Sequence, residues 1–428
     1  MIKIGLLGLG TVGGGVYKIM EKNRANIAQK VGDKVEIKKI LVNSLNKKRD
    51  INIEPELMTN SSEAIIQNPE IDLVVELIGG EKPAHEFIVK SLKHGKSVVT
   101  ANKLVIAKYG REIFKLAGEN GLQVSYEGSV AGGLPIVRPL KESLAANRIK
   151  SIYGILNGTT NYILTRMTES GIDFDQVLQE AQKRGYAEKN PASDINGRDA
   201  AYKISILSSL AFETFIDVKD VYIEGIQGIS PADIETAAEL GYVIKLIAIG
   251  KKREDGIDVR VHPAFVSRNH PLALVNDVYN AVYLQGDAVG DVMSYGRGAG
   301  RMPTGSSVVA DIIQVARDIY YKRTPSTSAS IFEEYNLVSI DEIENRFYLR
   351  LQVNDEPGVM SRVTKILGDN GVSLASVIQR HRLSPVVPLI LITHPVQEKF
   401  MQKSLQELKA LDDVVSIAST IRVEGDEE

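Results

Sequence analysis

Cysteine is absent from all 428 residues, which removes disulfides, thiolate metal sites and thiol nucleophiles together. An acylating enzyme that works through a cysteine thiohemiacetal cannot be built from such a chain. An excess of one charge is lacking too: the formal net charge is −3, and the 25% of charged residues are of both signs. That balance offers no basic field for nucleic acid or for an anionic membrane, so small solutes are the expected partners. No uncharged run is long enough to span a bilayer, and the first residues show no charged leader, long apolar core or cleavage site. A cytoplasmic protein is expected, and the sequons at Asn60 and Asn157 are then chance matches. The length of 428 residues exceeds what one core holds and predicts two or three domains.

What is present begins with a short apolar strand that runs into Gly8, Gly10 and Gly13 in the spacing G-x-G-x-x-G, with a helical pattern from Val12 to about Gln29. In a dinucleotide fold Gly8 allows the tight turn, Gly10 lets a phosphate approach the backbone, and Gly13 lets helix and strand pack closely. The phosphates then sit on the helix N-terminus, at Thr11 and Val12. Apolar runs ending at Val42, Ile78, Ala101 and Glu127 alternate with helical patterns, which predicts a doubly wound parallel sheet. An NAD-preferring site usually places a carboxylate after the second strand, but here Val42 is followed by Asn43, Ser44 and the basic residues Lys47, Lys48 and Arg49. Asn43 and Ser44 can hydrogen-bond a 2′-phosphate and the basic residues can neutralise it, so NADP(H) is preferred over NAD(H). The competing reading is that the three basic residues form a solvated loop.

The stretch from Ala181 to Lys203 gathers Glu188, Asp194, Asp199 and Lys203 where loop turns into helix. Asp199 and Lys203 are four residues apart and share a helix face, which makes them either a surface ion pair or a proton-transfer pair. Turn residues Gly185, Pro191 and Gly197 and the apolar run from Ile204 argue for a partly buried helix start. The pattern at Ala181, Gly185, Tyr186, Ala187, Glu188, Pro191, Asp194, Ile195, Gly197, Asp199 and Lys203 closely resembles the signature of homoserine dehydrogenases. No position in it departs, and the resemblance runs through the first three-quarters of the chain.

The resemblance implies reversible reduction of L-aspartate 4-semialdehyde to L-homoserine with a nicotinamide dinucleotide. It implies that Lys203 is the proton donor to the forming alkoxide and that Asp199 orients the substrate and Lys203. Glu188, as a buried carboxylate, is expected to take the substrate ammonium, with Asp194 beside it. Asn157 to Leu164 also resembles the family and suits a substrate-facing loop capped by Thr159 or Thr160. Thr100 to Val105 resembles the family's Ala-Asn-Lys segment, which makes Lys103 a second catalytic residue near both nicotinamide and substrate. Gly185 and Gly305 join the cofactor contacts by the same resemblance, Gly305 opening a helix that returns to the cofactor domain; a simple helix entry is the alternative at Gly305. From Glu127 to Pro135 the residues alone read as a Gly-rich hinge. The family resemblance suggests a sodium ion held by the main chain around Glu127, Val130, Gly132 and Leu134, a donor set that suits a hard monovalent cation.

From Arg346 the pattern becomes βαββαβ, a ferredoxin-like plait that resembles an ACT domain. Such domains bind amino acids at the first helix N-terminus, here at Asn354, Gly358 and Val359, or else serve only for association. Because homoserine lies on the route to threonine, threonine is the implied effector. The expected architecture is α/β: a Rossmann-type domain over 1–128 with 305–322 returning to it, a mixed α/β catalytic and dimerisation domain over 129–304, a linker over 323–345, and an ACT domain over 346–423. A homodimer or homotetramer is expected. The rivals are another NADP-linked dehydrogenase of a small amino-acid-derived carbonyl and a non-catalytic amino-acid sensor on a dinucleotide fold.

Overall fold

Strands that are apolar on both faces need cover on both sides, and the computed structural model shows how this chain provides it. It describes residues 1–323, 335–379 and 384–425. The chain begins β1 (Ile2–Leu7), α1 (Thr11–Lys22), α2 (Arg24–Val31), β2 (Val35–Leu41), β3 (Met58–Thr59), α3 (Glu63–Ile66), β4 (Leu73–Glu76), α4 (Ala84–Lys93), β5 (Ser97–Thr100), α5 (Lys103–Glu119) and β6 (Val124–Ser125). There follow β7 (Ile149–Ile155), α6 (Gly158–Ser170), α7 (Phe174–Lys183), α8 (Ala192–Ile195), α9 (Arg198–Ala211), β8 (Tyr222–Ile223) and α10 (Pro231–Glu239). Next come β9 (Tyr242–Lys252), β10 (Ile257–Ser267), β11 (Tyr279–Gly286), β12 (Gly290–Arg297) and α11 (Arg301–Tyr320). The last quarter holds β13 (Glu344–Asn354), α12 (Val359–Asp369), β14 (Leu374–Gln379), β15 (Val386–Thr393), β16 (Val396–Gln397), α13 (Glu398–Lys409) and β17 (Val414–Glu424).

These elements form two compact units, one of Met1–Ile152, Tyr202–Asp220 and Asn280–Tyr335, the other of Tyr153–Ala201, Val221–Tyr279 and Asn336–Glu428. In the first unit six parallel strands lie in the order β3-β2-β1-β4-β5-β6, the doubly wound arrangement of a dinucleotide fold. Its direction reverses between β1 and β4, where the crevice beyond the strand ends receives ligands. One core joins Ile4, Leu6 and Val75 of the sheet to Val16 and Met20 of α1 and to Val308, Ile312 and Val315 of α11. The two helices meet at glycine: a Cβ on Gly15 would lie 2.1 Å from the Arg301 carbonyl oxygen. The single helix expected from Val12 to about Gln29 is broken at Asn23, which ends α1 and starts α2.

In the second unit the mixed sheet runs β9-β10-β17-β13-β15-β14, with β8 beside β10 and β16 beside β13. The strands β17-β13-β15-β14 with α12 and α13 form the ferredoxin-like plait around Leu349, Leu351, Val363, Leu391 and Met401. This plait is joined to the rest of its unit through a shared sheet. Its strand β17 pairs in parallel with β10 through Ala264 to Arg422, Phe265 to Val423 and Val266 to Glu424. Residues 324–334 of the expected linker lie outside the described residues.

Buried charge reinforces this pairing. Arg260 of β10 binds Asp258 and reaches Glu424 at 2.7 Å, and Arg422 of β17 binds Glu398 at 2.7 Å and Glu224 at 2.6 Å. Burial works against both guanidinium charges, but their carboxylates keep them protonated; His262 is pushed well below its ordinary range by burial and by Arg422 and Arg260. On β13, Arg350 donates to Asp233 at 2.9 Å and 3.1 Å and Tyr348 donates to it at 3.1 Å. Asp233 is fully buried and also closes the capping box of α10 with Ser230. Removing one partner of such a buried pair costs roughly 3–5 kcal/mol.

A chain ending at Asn345 therefore loses more than the plait itself. It exposes Phe265, which stacks on Tyr348 at 4.6 Å between ring centroids, and burial of one such side chain is worth about 1.5–3 kcal/mol. The expected result is a thermal midpoint about 5–10 °C below that of the full chain. Equal midpoints by differential scanning fluorimetry would mean that the β10–β17 pairing carries no stability.

Candidate functional site

The cofactor end of the first unit is built from turns at the carboxyl ends of β1, β2, β4 and β5. After β1 the chain turns at Gly8, whose φ of +103° and contact geometry (an added Cβ would sit 2.7 Å from the Leu77 oxygen) admit only glycine. Gly10 is the N-cap of α1, and a Cβ there would meet nothing within 4 Å, so open space faces the backbone at that point. Gly13 lets the Gly8 carbonyl approach; its Cβ would lie 2.2 Å from that oxygen. Thr11 and Val12 begin the helix, whose first N–H groups have no intrahelical acceptor. Such a cradle fits a pyrophosphate.

Beyond β2, Val42 is buried while Asn43 through Lys48 are exposed. Arg49 turns back on its own loop, donating to the Ser44 carbonyl at 2.7 Å and the Lys47 carbonyl at 2.9 Å. It shapes the loop, and Lys47 and Lys48 are the cations left exposed there. Gly305 packs on α1, where an added Cβ would lie 3.0 Å from Gly15 and 3.1 Å from the Val16 nitrogen, and this contact by itself requires a small residue.

Between the ends of β4 and β5 lies a residue that the sequence reading passed over. Glu76 is fully buried, accepts from the amides of Ile78 at 2.7 Å and Gly79 at 3.3 Å, and takes the Thr100 hydroxyl at 2.7 Å. Burial raises its carboxyl above the ordinary range despite these bonds. Thr100 in turn accepts the Asn102 amide at 3.0 Å, and Asn102 caps α5 through the Val105 amide and holds the Gly80 carbonyl at 2.8 Å. Lys103, the first residue of α5, is thus positioned by a chain of bonds that starts at Glu76. Its signal in the sequence is a lone carboxylate in an apolar strand.

Glu127 is buried, and its carboxylate accepts the amides of Ile136 at 2.5 Å, Val137 at 2.8 Å and Arg138 at 2.8 Å. Its own amide donates to Asp311 at 2.8 Å; burial pushes the Asp311 carboxyl up to about 7 although Arg138 lies 2.7 Å away. Ala131 and Gly132 both adopt left-handed backbone, at φ +51° and +55°, and Val130 and Leu134 are buried beside them. Among the described residues no group of three or more His, Cys, Asp or Glu side chains is arranged for a metal. Any cation in this turn would rest on main-chain carbonyls, which suit sodium better than a transition metal.

In the second unit the start of α6 is capped by Asn157 and not by Thr159 or Thr160, because the asparagine side chain reaches the Thr160 amide at 2.8 Å. Its Nδ2 donates to Asp194 at 2.8 Å and to Asp199 at 2.9 Å, which brings together three polar residues from α6, α8 and α9. Thr159 donates to the Tyr186 carbonyl at 2.7 Å and ties α6 to the loop of Gly185, which has a φ of +75°. Glu188 is exposed rather than buried, because that loop runs along the surface from Lys183 with only Ala187 turned inward. On α9, Asp199 lies in the first turn and Lys203 one turn later on the same face; they are 4% and 8% exposed. A solvated surface pair is therefore excluded. In the plait, Asn354, Gly358 and Val359 line a cavity of about 270 Å³ with Asp355, Glu356 and Gln379, and Gly358 is the N-cap of α12 at a φ of +90°.

Known proteins resemble this chain along its length. Family models match in three consecutive stretches: the homoserine dehydrogenase NAD-binding domain over residues 8–127, homoserine dehydrogenase over 135–313, and the ACT domain over 347–413. A homoserine dehydrogenase of Synechocystis is 45% identical over 433 residues, covering 99% of both chains. The solved homoserine dehydrogenase of Thiobacillus denitrificans superposes with a TM-score of 0.93 at 40% identity, over 99% of this chain and 98% of that one. A hyperthermophilic archaeal homoserine dehydrogenase in complex with NADPH superposes with a TM-score of 0.62 at 29% identity, over 73% of this chain and 97% of its own. With a glycine cradle for a dinucleotide, a buried Asp–Lys helix face and likeness along its whole length, the chain belongs to the homoserine dehydrogenases, oxidoreductases that act on a CH–OH group with a nicotinamide dinucleotide.

Proposed function

We propose that this chain interconverts L-aspartate 4-semialdehyde and L-homoserine with NADP(H) in preference to NAD(H), as a cytoplasmic homodimer or homotetramer whose plait binds threonine. The observation that carries the chemistry is the burial of Asp199 and Lys203 on one face of α9, with Asp199 held by Asn157. When bound, the reduced nicotinamide supplies a hydride to the aldehyde carbon. Lys203 gives its proton to the forming alkoxide and takes it back in the reverse direction. Asp199 orients both the substrate and the Lys203 ammonium, and Lys103 stabilises the developing charge from the N-terminus of α5. Glu188 and Asp194 receive the substrate ammonium and Thr159 contributes a hydroxyl.

For the dinucleotide, Gly8, Gly10, Thr11, Val12 and Gly13 hold the pyrophosphate, Thr100 and Lys103 lie toward the nicotinamide, and Gly185 and Gly305 contribute backbone. Asn43 and Ser44 bind the 2′-phosphate with Lys47 and Lys48; support comes from the exposed, carboxylate-free stretch after Val42 and from the NADPH held by the archaeal relative. A sodium ion on the carbonyls of Glu127, Val130, Gly132 and Leu134 is supported by the buried left-handed turn at Ala131 and Gly132. The exposed apolar residues Met293 and Tyr295 on β12 support assembly. Threonine at Asn354, Gly358 and Val359 is supported by the cavity there, which sets the N-terminus of α12 for a carboxylate and Asp355 and Glu356 for an ammonium.

Three experiments test this reading. Lys203→Met is expected to lower kcat by about 10²- to 10⁴-fold, the usual worth of a general acid, while cofactor affinity stays nearly constant. A near-normal kcat would remove Lys203 from the chemistry. In steady-state kinetics kcat/KM is expected to favour NADPH, the preference weakening as salt rises and falling by about tenfold in the Lys47→Ala/Lys48→Ala variant. A preference for NADH would leave those lysines as plain surface. Calorimetric titration is expected to show threonine binding, weakened by substrate through a coupling of about 1–3 kcal/mol. No heat of binding to the intact protein would leave the plait as an assembly unit or a sensor of another amino acid.

A further inference from the structure

We propose that Asn157 is the positioning residue of the reaction, holding Asp194 and Asp199 in place with the two hydrogens of one amide nitrogen. Capping α6 needs only an acceptor, which serine, threonine or aspartate provides as well as asparagine does. Asn157 does that with Oδ1, which takes the Thr160 amide at 2.8 Å and the Thr160 hydroxyl at 3.0 Å. Its Nδ2 carries two further donors, and both point at carboxylates: Asp194 at 2.8 Å from α8 and Asp199 at 2.9 Å from α9. Of the capping residues only asparagine combines an acceptor with two donors.

The surroundings make the arrangement rigid. Asn157 is 5% exposed, so little water competes for its amide. The next residue, Gly158, lies against the chain at Val278, where a Cβ would stand 2.7 Å from the carbonyl oxygen. One turn on, Asn161 donates to the Tyr279 carbonyl at 3.1 Å, and Lys245 binds Asn161 at 3.3 Å and the Val275 carbonyl at 2.6 Å. The start of α6 is therefore fixed on two sides, and a fixed amide sets how the Asp199 carboxylate is turned about its own side chain. Two like charges drawn to one point repel, and the donated hydrogens offset that repulsion.

This inference rests on the role given above to Asp199, and the test separates the two. Asn157→Ala removes cap and donors together and is expected to lower both the thermal midpoint and kcat/KM for homoserine. Asn157→Ser restores the cap but replaces two amide hydrogens with a single, shorter-reaching hydroxyl hydrogen. Its midpoint is expected to return to near that of the parent chain while kcat/KM for homoserine stays about 10- to 100-fold down, with KM for NADP unchanged. Should serine not restore the midpoint, Asn157→Thr, the other hydroxyl cap with a single donor, is read the same way. Recovery of activity together with the midpoint, in either variant, would reduce Asn157 to a cap and overturn the proposal. Asp199→Ala runs alongside: if it cripples turnover while Asn157→Ser does not, only this inference fails. If Asp199→Ala is itself near normal, the inference falls together with the role of Asp199.

Discussion

A carboxylate or guanidinium withdrawn from water costs several kcal/mol unless hydrogen bonds or an opposite charge meet it, and this requirement ties distant parts of the molecule together. Glu76 fixes the approach to Lys103 because Thr100, Asn102 and the amides after β4 turn toward it. Glu127 gathers three amides across the turn that leaves the cofactor sheet. Asp233 ties α10 to β13, and Arg260 and Arg422 tie β10 to β17. Arg260, Arg422 and Asp233 are answered by groups more than a hundred residues away, so satisfying them dictates tertiary structure.

The legibility of the sequence follows from how local each constraint is. The turn at Gly8, Gly10 and Gly13 is readable because three glycines in six residues answer to one local geometry, and the alternating apolar runs announce the parallel sheet. The plait was equally plain, its strands and helices each carrying their own period. What escaped was what the local pattern does not announce. The strand β12, exposed along alternate residues, has too little apolar character to stand out. The break at Asn23 falls inside a continuous helical pattern, and the exposure of Glu188 depends on the path of a surface loop. The cap of α6 went to Asn157 rather than to a threonine because asparagine can also answer Asp194 and Asp199, a demand that the local sequence does not display.

Glycine acts here in two different ways. At Gly8 it permits a backbone conformation, while at Gly15 and Gly305 it permits two helices to touch, and the second use brings α11 from late in the chain against α1 from its beginning. The core that results mixes residues such as Val16 and Ile312, made far apart on the ribosome. A motif scan sees Gly305 only as a candidate ligand contact; the packing shows a mechanical reason for it as well.

The parallel pairing of β10 with β17 also has a consequence for how the protein is made. β17 is interior to its sheet, flanked by β10 and β13, yet it is the last of these strands to be synthesised. Until it emerges, β10 keeps an unpaired edge from Ala264 to Val266, and Arg260 lacks its partner Glu424. The unit that contains Asn157 and Asp199 therefore cannot close vectorially during translation, and its maturation waits for the C-terminal strand. A nascent chain stalled before β17 presents an open β edge, the kind of surface that chaperones recognise and that seeds aggregation.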